Sequence, residues 1–261
     1  MLWWVGLQPD AFLPVKWRRP VLRGVVVCAL AAMLGGCVLD RVFETHDQLC
    51  KASPRQVVIE GGAGAPLRVV FDRPTLTRDD IEWLVGLPPT RVIPASDGVR
   101  LQFAAAPAER AASGEATLVT ELRFVALDGR MKLAESIPPA HLAQLVPRAL
   151  IDRAVEAACK PEISLAPPGA RFDIRSIDAS AFPDHRRIES ILGPAHEREA
   201  DGTYVYRFCL LPCDAGARPL ARFAYRFGAD GRLEHGDFAY FRYRLLVNRP
   251  GGVATLSLRL T

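Results

Sequence analysis

Cys37 is the residue of this chain whose surroundings point most clearly to chemistry. It follows Leu34-Gly35-Gly36, at the end of an apolar run of eleven residues from Gly24 to Leu34. Four basic side chains precede that run: Lys16, Arg18, Arg19 and Arg23. A positive segment, a short apolar run and a small-residue cleavage site make a secretory signal, and the run is shorter than the ~20 residues of a membrane span. We therefore predict a signal peptide over residues 1–36.

The run Leu34-Gly35-Gly36-Cys37 resembles the lipobox of bacterial lipoproteins, in which the cysteine thiol is diacylated and becomes the new N-terminus. The resemblance implies that Cys37 carries acyl chains such as palmitate. Two chains are enough for stable anchoring, since each buried methylene contributes ~0.8 kcal/mol. Val38 is not the aspartate that marks inner-membrane retention, so the resemblance implies the periplasmic face of a Gram-negative outer membrane. The alternative is an ordinary secretory signal, in which Cys37 is one more cysteine.

The first fourteen residues fit no part of a signal peptide. A chain that started at Val15 would open directly on the basic segment. Only four of the 33 basic residues are lysine, a bias typical of GC-rich genomes, in which GTG start codons are common. We predict that Val15 is the true initiator.

The mature chain would keep four further cysteines, Cys50, Cys159, Cys209 and Cys213, because Cys28 leaves with the signal. Four cysteines in an oxidising compartment predict two disulfides, with three possible connectivities. We favour Cys50–Cys159, which would tie the first mature helix to the last helix of the first unit, together with Cys209–Cys213. A redox or metal-binding role for the Cys209-x3-Cys213 pair is the alternative.

Composition excludes one class of partner. Without residues 1–36 the chain has 29 basic and 28 acidic residues, a net charge of +1, so nothing in its charge favours nucleic acid. At 49% hydrophobic and 24% charged, the sequence is that of a folded globular protein. About 225 mature residues suffice for two modest domains or one large one.

An internal repeat indicates the fold. Each copy begins with a short amphipathic helix, predicted over Asp79–Val85 and His185–Leu192, and each helix stops at glycine and proline. A loop with Asp-Gly follows, then alternating strands joined by an Asp-Gly-Arg turn at 128–130 and 230–232. We therefore predict an α+β fold of two similar helix-on-antiparallel-sheet units in tandem, over residues 37–161 and 162–261.

The pattern of helix, Leu-Gly-Pro, Asp-Gly, Tyr-x-Tyr-x-Phe and Asp-Gly-Arg resembles the SmpA/OmlA lipoprotein family. That family includes the small lipoprotein of the outer-membrane β-barrel assembly machine, and its fold is akin to β-lactamase inhibitor protein. The resemblance covers residues 178–245 well and 75–135 weakly. It implies a fold, and we carry over none of the family's binding residues.

The remaining segments predict connecting elements. Residues 40–49 read as an amphipathic helix, and 137–158 as a helical stretch kinked or restarted at Pro147. The proline-rich segment 160–170 predicts a semi-rigid linker between the units. The stretch 235–247 reads as one strand, and its part 237–245 is paired in a final hairpin with 253–260.

No stretch carries a recognised catalytic motif, so we predict no catalytic residue, no metal site and no cofactor. The five histidines have no ligand spacing. The run Asp184 to Arg187 allows an anion site at a helix start, although a solvated first turn is the commoner outcome.

The segment 235–247 offers the best candidate for partner binding. Aromatic residues alternate there with arginines, and both types are enriched at interface hot spots. We single out Tyr240, Arg242 and Arg244; the alternative is a strand covered on both faces by its own protein.

We expect a non-enzymatic binding or scaffold protein, anchored to the outer membrane through Cys37. It would meet an envelope protein partner and serve as an accessory to envelope assembly. A tethered inhibitor of a periplasmic or secreted enzyme, acting through the loop 211–219, is one alternative. A hydrolase with an unrecognised site is another.

Overall fold

The computed structural model describes the backbone of residues 38–62, 65–108, 118–145, 148–160, 162–165, 168–174, 182–213, 221–240, 243–249 and 254–260. The predicted signal peptide, the start at Val15 and the lipidation site Cys37 lie outside this part. The chain divides into two compact units, Met1–Arg41 and Val42–Thr261, and the second contains the whole sheet.

The fold is a mixture of helix and antiparallel sheet, which confirms the predicted α+β class. The first half comprises α1 (38–50), β1 (Val57–Gly62), β2 (Ala65–Phe71), α2 (Arg78–Val85), β3 (Arg91–Ala95), β4 (Gly98–Pro107), β5 (Leu118–Leu127) and β6 (Arg130–Ile137). The second half comprises α3 (Ala140–Leu145), α4 (Arg148–Ala158), β7 (Glu162–Leu165), β8 (Pro168–Ile174), α5 (His185–Leu192), β9 (Glu197–Arg198), β10 (Tyr204–Leu210), β11 (Ala221–Phe227), β12 (Leu233–Tyr240), β13 (Tyr243–Asn248) and β14 (Ala254–Leu260).

The strands form one sheet in the order β1-β2-β6-β5-β4-β10-β11-β12-β13-β14-β8-β7, with β3 beside β4 and β9 beside β10. Each half contributes a meander of neighbouring strands, β4-β5-β6 and β10-β11-β12. The two meanders meet where β4 pairs with β10, from Phe208 opposite Pro107 to Leu210 opposite Ala105. The segments 37–161 and 162–261, predicted as two units, therefore share a sheet.

The sheet curls strongly around one of its faces. Thr120 on β5 and Tyr240 on β12 stand four strands apart, which is ~19 Å in a flat sheet. Their hydroxyl oxygens nevertheless lie 2.9 Å apart. Only a sheet that bends between β5 and β12 can bring these side chains together, and the helices α3, α4 and α5 lie on the side toward which it bends.

Helix α5 has the predicted bounds, and α2 ends where predicted but begins at Arg78, one residue before the predicted Asp79. Thr77 caps α2 in a capping box with Asp80, and the left-handed Gly86 (φ 71°) ends it. Asp184 caps α5 by accepting a hydrogen bond from the Arg187 amide, so the predicted anion position at this helix start is filled by the chain's own carboxylate. Each cap residue also makes a backbone bridge beside the third strand of its meander, Thr77 with Lys132 in β6 and Asp184 with Arg232, the residue before β12.

The predicted Asp-Gly turns are present in both meanders. Asp128 and Gly129 both have positive φ, 52° and 72°, as a tight two-residue hairpin requires. Helices α3 and α4 confirm the predicted restart of the helical stretch, since one ends at Leu145 and the other begins at Arg148.

Two interpretations of the sequence were wrong. The segment 160–170 is not a linker: β7 and β8 form a hairpin there, and β8 pairs with β14 in the body of the sheet. Pro168 is tolerated because it is the first residue of its strand. The predicted strand 235–247 is two strands, since β12 ends at Tyr240 and β13 returns antiparallel from Tyr243.

Each half has its own hydrophobic core. The first packs α2 against β4, β5 and β6; its buried members are Leu76, Ile81, Val99, Leu101, Phe103, Leu122, Phe124 and Leu133. The second packs α3 and α5 against the other meander and is rich in aromatic rings, with Tyr206, Phe208, Phe223 and Tyr225 all buried. The four ring contacts among Tyr206, Phe208, Phe223, Tyr225 and Phe238 all lie edge-on or tilted, as aromatic quadrupoles prefer.

Candidate functional site: an apolar cavity

The three residues predicted to bind a partner do not form one patch. The register pairs Tyr240 with Tyr243 and Ala239 with Arg244, so Tyr240 and Arg244 lie on opposite faces of the sheet. Arg242 lies outside the described residues. Partner binding through these residues stays a prediction, now divided between two surfaces.

Arg244 belongs to an ion-pair cluster on the outer face. Its guanidinium donates to both carboxylate oxygens of Asp237, at 2.8 and 2.6 Å, and Arg222 approaches the same carboxylate at 3.4 Å. Arg222 also pairs with Glu199 at 3.0 Å. The hydrogen bonds from Arg244 hold the pKa of Asp237 below its ordinary value, despite the opposing effect of burial. The charge of Arg244 is therefore neutralised within the protein by the Asp237 carboxylate.

The first half carries a matching cluster. The buried carboxylate of Glu135 pairs with Arg68, and Arg123 stands 3.9 Å from it. Arg123 is itself paired with Asp97 at 2.5 Å. Glu135 and Asp237 each lie seven residues after the aspartate of their Asp-Gly-Arg turns. In both halves, an acid on the third strand is thus flanked by arginines from the two neighbouring strands.

Tyr240 points to the opposite face, where it lines a half-open cavity of about 630 Å³. Helix α4 supplies one wall through Leu150, Ile151, Ala154, Val155 and Ala158, and Leu49 of α1 extends that wall. The facing wall comes from β11, β12 and β13. The lining in the described part of the chain is almost entirely carbon.

The sheet wall is built largely from aromatic rings. Phe223 and Tyr225 on β11 and Phe238 and Tyr240 on β12 line the cavity, with Leu245 and Val247 of β13 beside them. Gly236 shapes this wall, because a Cβ there would stand 2.5 Å from the Phe238 ring. The missing side chain lets that ring lie across the strand. Burial raises the pKa of Tyr240, whose hydroxyl is hydrogen-bonded to Thr120.

Helix α4 is amphipathic, yet none of its residues is fully buried. Its apolar residues recur at helical spacing and face the cavity, whereas Asp152, Arg153 and Glu156 face solvent. An amphipathic helix is ordinarily stabilised by packing that apolar stripe against a core. Here Leu150 packs against the second core and the stripe as a whole lines the cavity, so α4 covers the sheet without filling the gap beneath it.

The predicted disulfide Cys50–Cys159 is confirmed, and it joins the two helices of this wall. Cys50 ends α1 and Cys159 follows α4, with their Cα atoms 5.3 Å apart. His46, one turn before Cys50, adds a contact from its Nε2 to the Ala158 carbonyl oxygen at 3.2 Å. The second predicted disulfide, Cys209–Cys213, is also confirmed, at the end of β10. Residues 214–220 lie outside the described part, and they include most of the predicted inhibitor loop 211–219.

The described residues contain no cluster of three or more His, Cys, Asp or Glu side chains suited to a metal ion. Two of the described histidines make contacts within the protein: His196 Nδ1 accepts from the Arg207 amide at 2.9 Å, and His185 stacks on Tyr204. Within the same residues, no helix is long and apolar enough to cross a membrane.

Comparison of the chain with protein-family models, with curated proteins and with solved structures found no match. The resemblances to the lipobox and to the SmpA/OmlA family therefore stay predictions.

The cavity was not predicted from the sequence. A usable signal was present in the stripe Leu150, Ile151, Ala154, Val155 and Ala158, where two alanines stand in the middle and at the end of an otherwise bulky face. Small residues on the apolar face of a helix leave room between it and its neighbour. The spacing alone, however, also fits a close-packed helix, and only the position of the sheet distinguishes the two.

Proposed function

We propose that this chain is a non-enzymatic binding protein that holds an apolar ligand in its cavity. The supporting observation is a cavity of about 630 Å³ with a carbon lining, a size typical of small-ligand sites. An empty apolar cavity costs stability, since the atoms that line it lack packing partners on one side. A ligand that fills the space would restore those contacts.

The proposal places this activity at the bacterial outer membrane, on its periplasmic face, through lipidation of Cys37. Both disulfides suit an oxidising compartment. In that setting the chain would act as an accessory to envelope assembly, in contact with an envelope protein. We also propose that its two halves are tandem versions of one unit, which the matching caps and acid–arginine clusters support.

Binding can be tested with the apolar fluorophore N-phenyl-1-naphthylamine, whose emission rises when it leaves water. We expect saturable binding by the folded chain and at least a tenfold loss in Ala154→Phe, which puts a ring into the cavity from α4. Ala149→Phe is the matched control, because Ala149 is exposed on the same helix and does not line the cavity. Equal binding by both variants would refute the proposed site.

Anchoring needs a separate experiment. Wild-type cells labelled with palmitate should yield a labelled protein in the outer-membrane fraction, and Cys37→Ser should yield unlabelled protein released from it. A Cys37→Ser protein that still partitions with membranes would contradict the anchor without bearing on the cavity.

A further inference from the structure

We infer that the cavity takes the hydrocarbon chain of one lipid acyl group and leaves the polar headgroup in solvent. This inference rests on the proposed function, and it specifies the ligand as a long unbranched alkyl chain. It follows from two properties of the described lining, its chemistry and its volume.

The chemistry of the lining excludes polar ligands. Sites for metabolites and cofactors combine apolar walls with a few polar groups that fix orientation. Of the two tyrosines that line this cavity, Tyr240 has its hydroxyl hydrogen-bonded to Thr120. A buried polar group without a hydrogen-bond partner costs several kcal/mol, so a ligand that enters this space must be hydrocarbon over its buried length.

The same reasoning argues against an extended peptide. Each peptide unit brings an N–H and a C=O that need partners when buried, and walls of Leu, Val, Ala and Phe side chains offer none. A helix satisfies its own backbone but is too large. At a diameter of ~10 Å and a rise of 5.4 Å per turn, 630 Å³ holds only about one and a half turns.

The volume selects one chain. An engineered apolar cavity of ~150 Å³ accepts benzene, a molecule of six carbons. At that density, 630 Å³ accommodates roughly two dozen carbon atoms. One palmitoyl-length chain fits this space and two do not. The half-open shape gives the headgroup a way out.

The affinity should depend steeply on chain length. Each buried methylene contributes about fourfold in affinity. We would use the full chain carrying Cys37→Ser, which has no acyl chain of its own to compete, and displace bound N-phenyl-1-naphthylamine with lipids below their micelle-forming concentrations. Palmitate should displace the probe at concentrations at least a hundredfold lower than octanoate.

Comparing lipids with the same acyl chain and different headgroups identifies the source of the acyl chain. Equal displacement by palmitate and by a single-chain phospholipid of the same length would show that only the hydrocarbon is bound. Displacement by palmitate alone would indicate a free fatty acid, and displacement by the phospholipid alone a membrane lipid; both outcomes support the acyl-chain assignment. Ala154→Phe should lose displacement by either lipid, whereas Ala149→Phe should keep it. If Ala154→Phe unfolds at lower urea, Ala158→Phe, one turn further along the stripe, replaces it.

Two results separate the inference from the proposed function. Probe binding that Ala154→Phe abolishes, but that neither lipid displaces, would overturn the acyl chain and leave an apolar-ligand site standing. The absence of probe binding to the wild-type cavity would overturn both. Displacement by an amphipathic peptide but not by lipid would likewise reject the acyl chain.

Discussion

The two halves of the sheet are covered by helices in different ways. In the first half, α2 lies directly on its meander, and Ile81 is buried against β4, β5 and β6. In the second half, α5 covers the meander in the same manner with Ile188 and Leu192. Helix α4 then adds a further layer over β11–β13; its Leu150 packs against the second core, and the cavity lies between the rest of its apolar face and the sheet.

The elements common to both halves stabilise the fold, whereas the additional elements of the second half form the cavity. The shared parts, namely a capped helix, Asp-Gly turns and an acid held by arginines, are the same in both halves and account for folding. Among the described residues, α4, its disulfide to α1 and an aromatic sheet wall have no counterpart beside the first meander. A binding site therefore arises where an additional helix, packed in part through Leu150 and tied to α1 by a disulfide, lies over the sheet.

The largest difference in unfolding free energy is expected between the variants that lack one or the other disulfide. Removing Cys50–Cys159, by Cys50→Ala with Cys159→Ala, frees a loop of 109 residues and should cost about 4–5 kcal/mol. Removing Cys209–Cys213, whose cysteines are four residues apart, should cost about 2 kcal/mol. Urea unfolding of both double variants measures the difference. The first variant should also lose probe binding, because both helices of one cavity wall become free to move; unchanged binding would mean that packing alone holds α4.

The two cores should respond differently to the loss of an aromatic ring. Phe124 is fully enclosed in the first half, so Phe124→Ala should cost about 4 kcal/mol. Phe238 borders the cavity and lacks packing partners on that side, so Phe238→Ala should cost about 2 kcal/mol. Denaturant unfolding compares them, with the exposed Val119→Ala as a control expected to change stability by less than about 0.5 kcal/mol. Equal losses would show that the cavity closes in solution.

Removing the charge of the two clustered acids should have a smaller effect. Asp237→Asn leaves Arg244 and Arg222 facing a neutral amide and should cost about 2 kcal/mol, reduced from a fully buried pair because both arginines are partly exposed. Glu135→Gln should cost less, since its second arginine is 3.9 Å away.

Acid supplies an independent check on Asp237. A carboxyl group whose pKa is lower in the folded state stabilises the fold above its unfolded pKa, near 3.8, and this contribution disappears as pH falls through the folded value. The wild type should therefore lose stability below about pH 4 more steeply than Asp237→Asn. Parallel curves of unfolding free energy against pH for the two proteins would show that the cluster does not contribute to stability.

Local signals in the sequence were sufficient to predict the elements that occur in both halves. Signals for contacts between distant segments were missing. Thr77 and Asp80 placed α2 correctly because a capping box acts within four residues, and Asp128-Gly129 placed its hairpin for the same reason. The segment 160–170 was misread because its prolines suggest a linker, whereas its strand character depends on β14, some ninety residues later. The strand hairpin β1–β2 was not predicted at all, although its apolar alternation around Gly61-Gly62 was visible.

The cavity belongs to the same long-range class. Its walls come from α1, α3, α4, the segment before α5 and three strands, so its existence depends on how far α4 stands from the sheet. The disulfides were predicted because four cysteines leave few alternative pairings, and Cys50–Cys159 is thus a long-range contact that could be predicted from residue types alone.

The smallest expected difference in stability between the two halves comes from their helix caps. Thr77 is buried and reciprocally bonded with Asp80, whereas Asp184 is exposed and makes a single bond to the Arg187 amide. Thr77→Ala should therefore cost about 1 kcal/mol and Asp184→Ala about half of that, as measured by urea unfolding against the exposed surface variant Arg186→Ala. Both cap residues also make a backbone bridge, which substitution by alanine leaves in place, so each variant reports on the side-chain cap alone. A larger loss for Asp184→Ala than for Thr77→Ala would therefore show that burial and the reciprocal bond do not make Thr77 the stronger cap, and that the exposed cap of the second half contributes more to its helix.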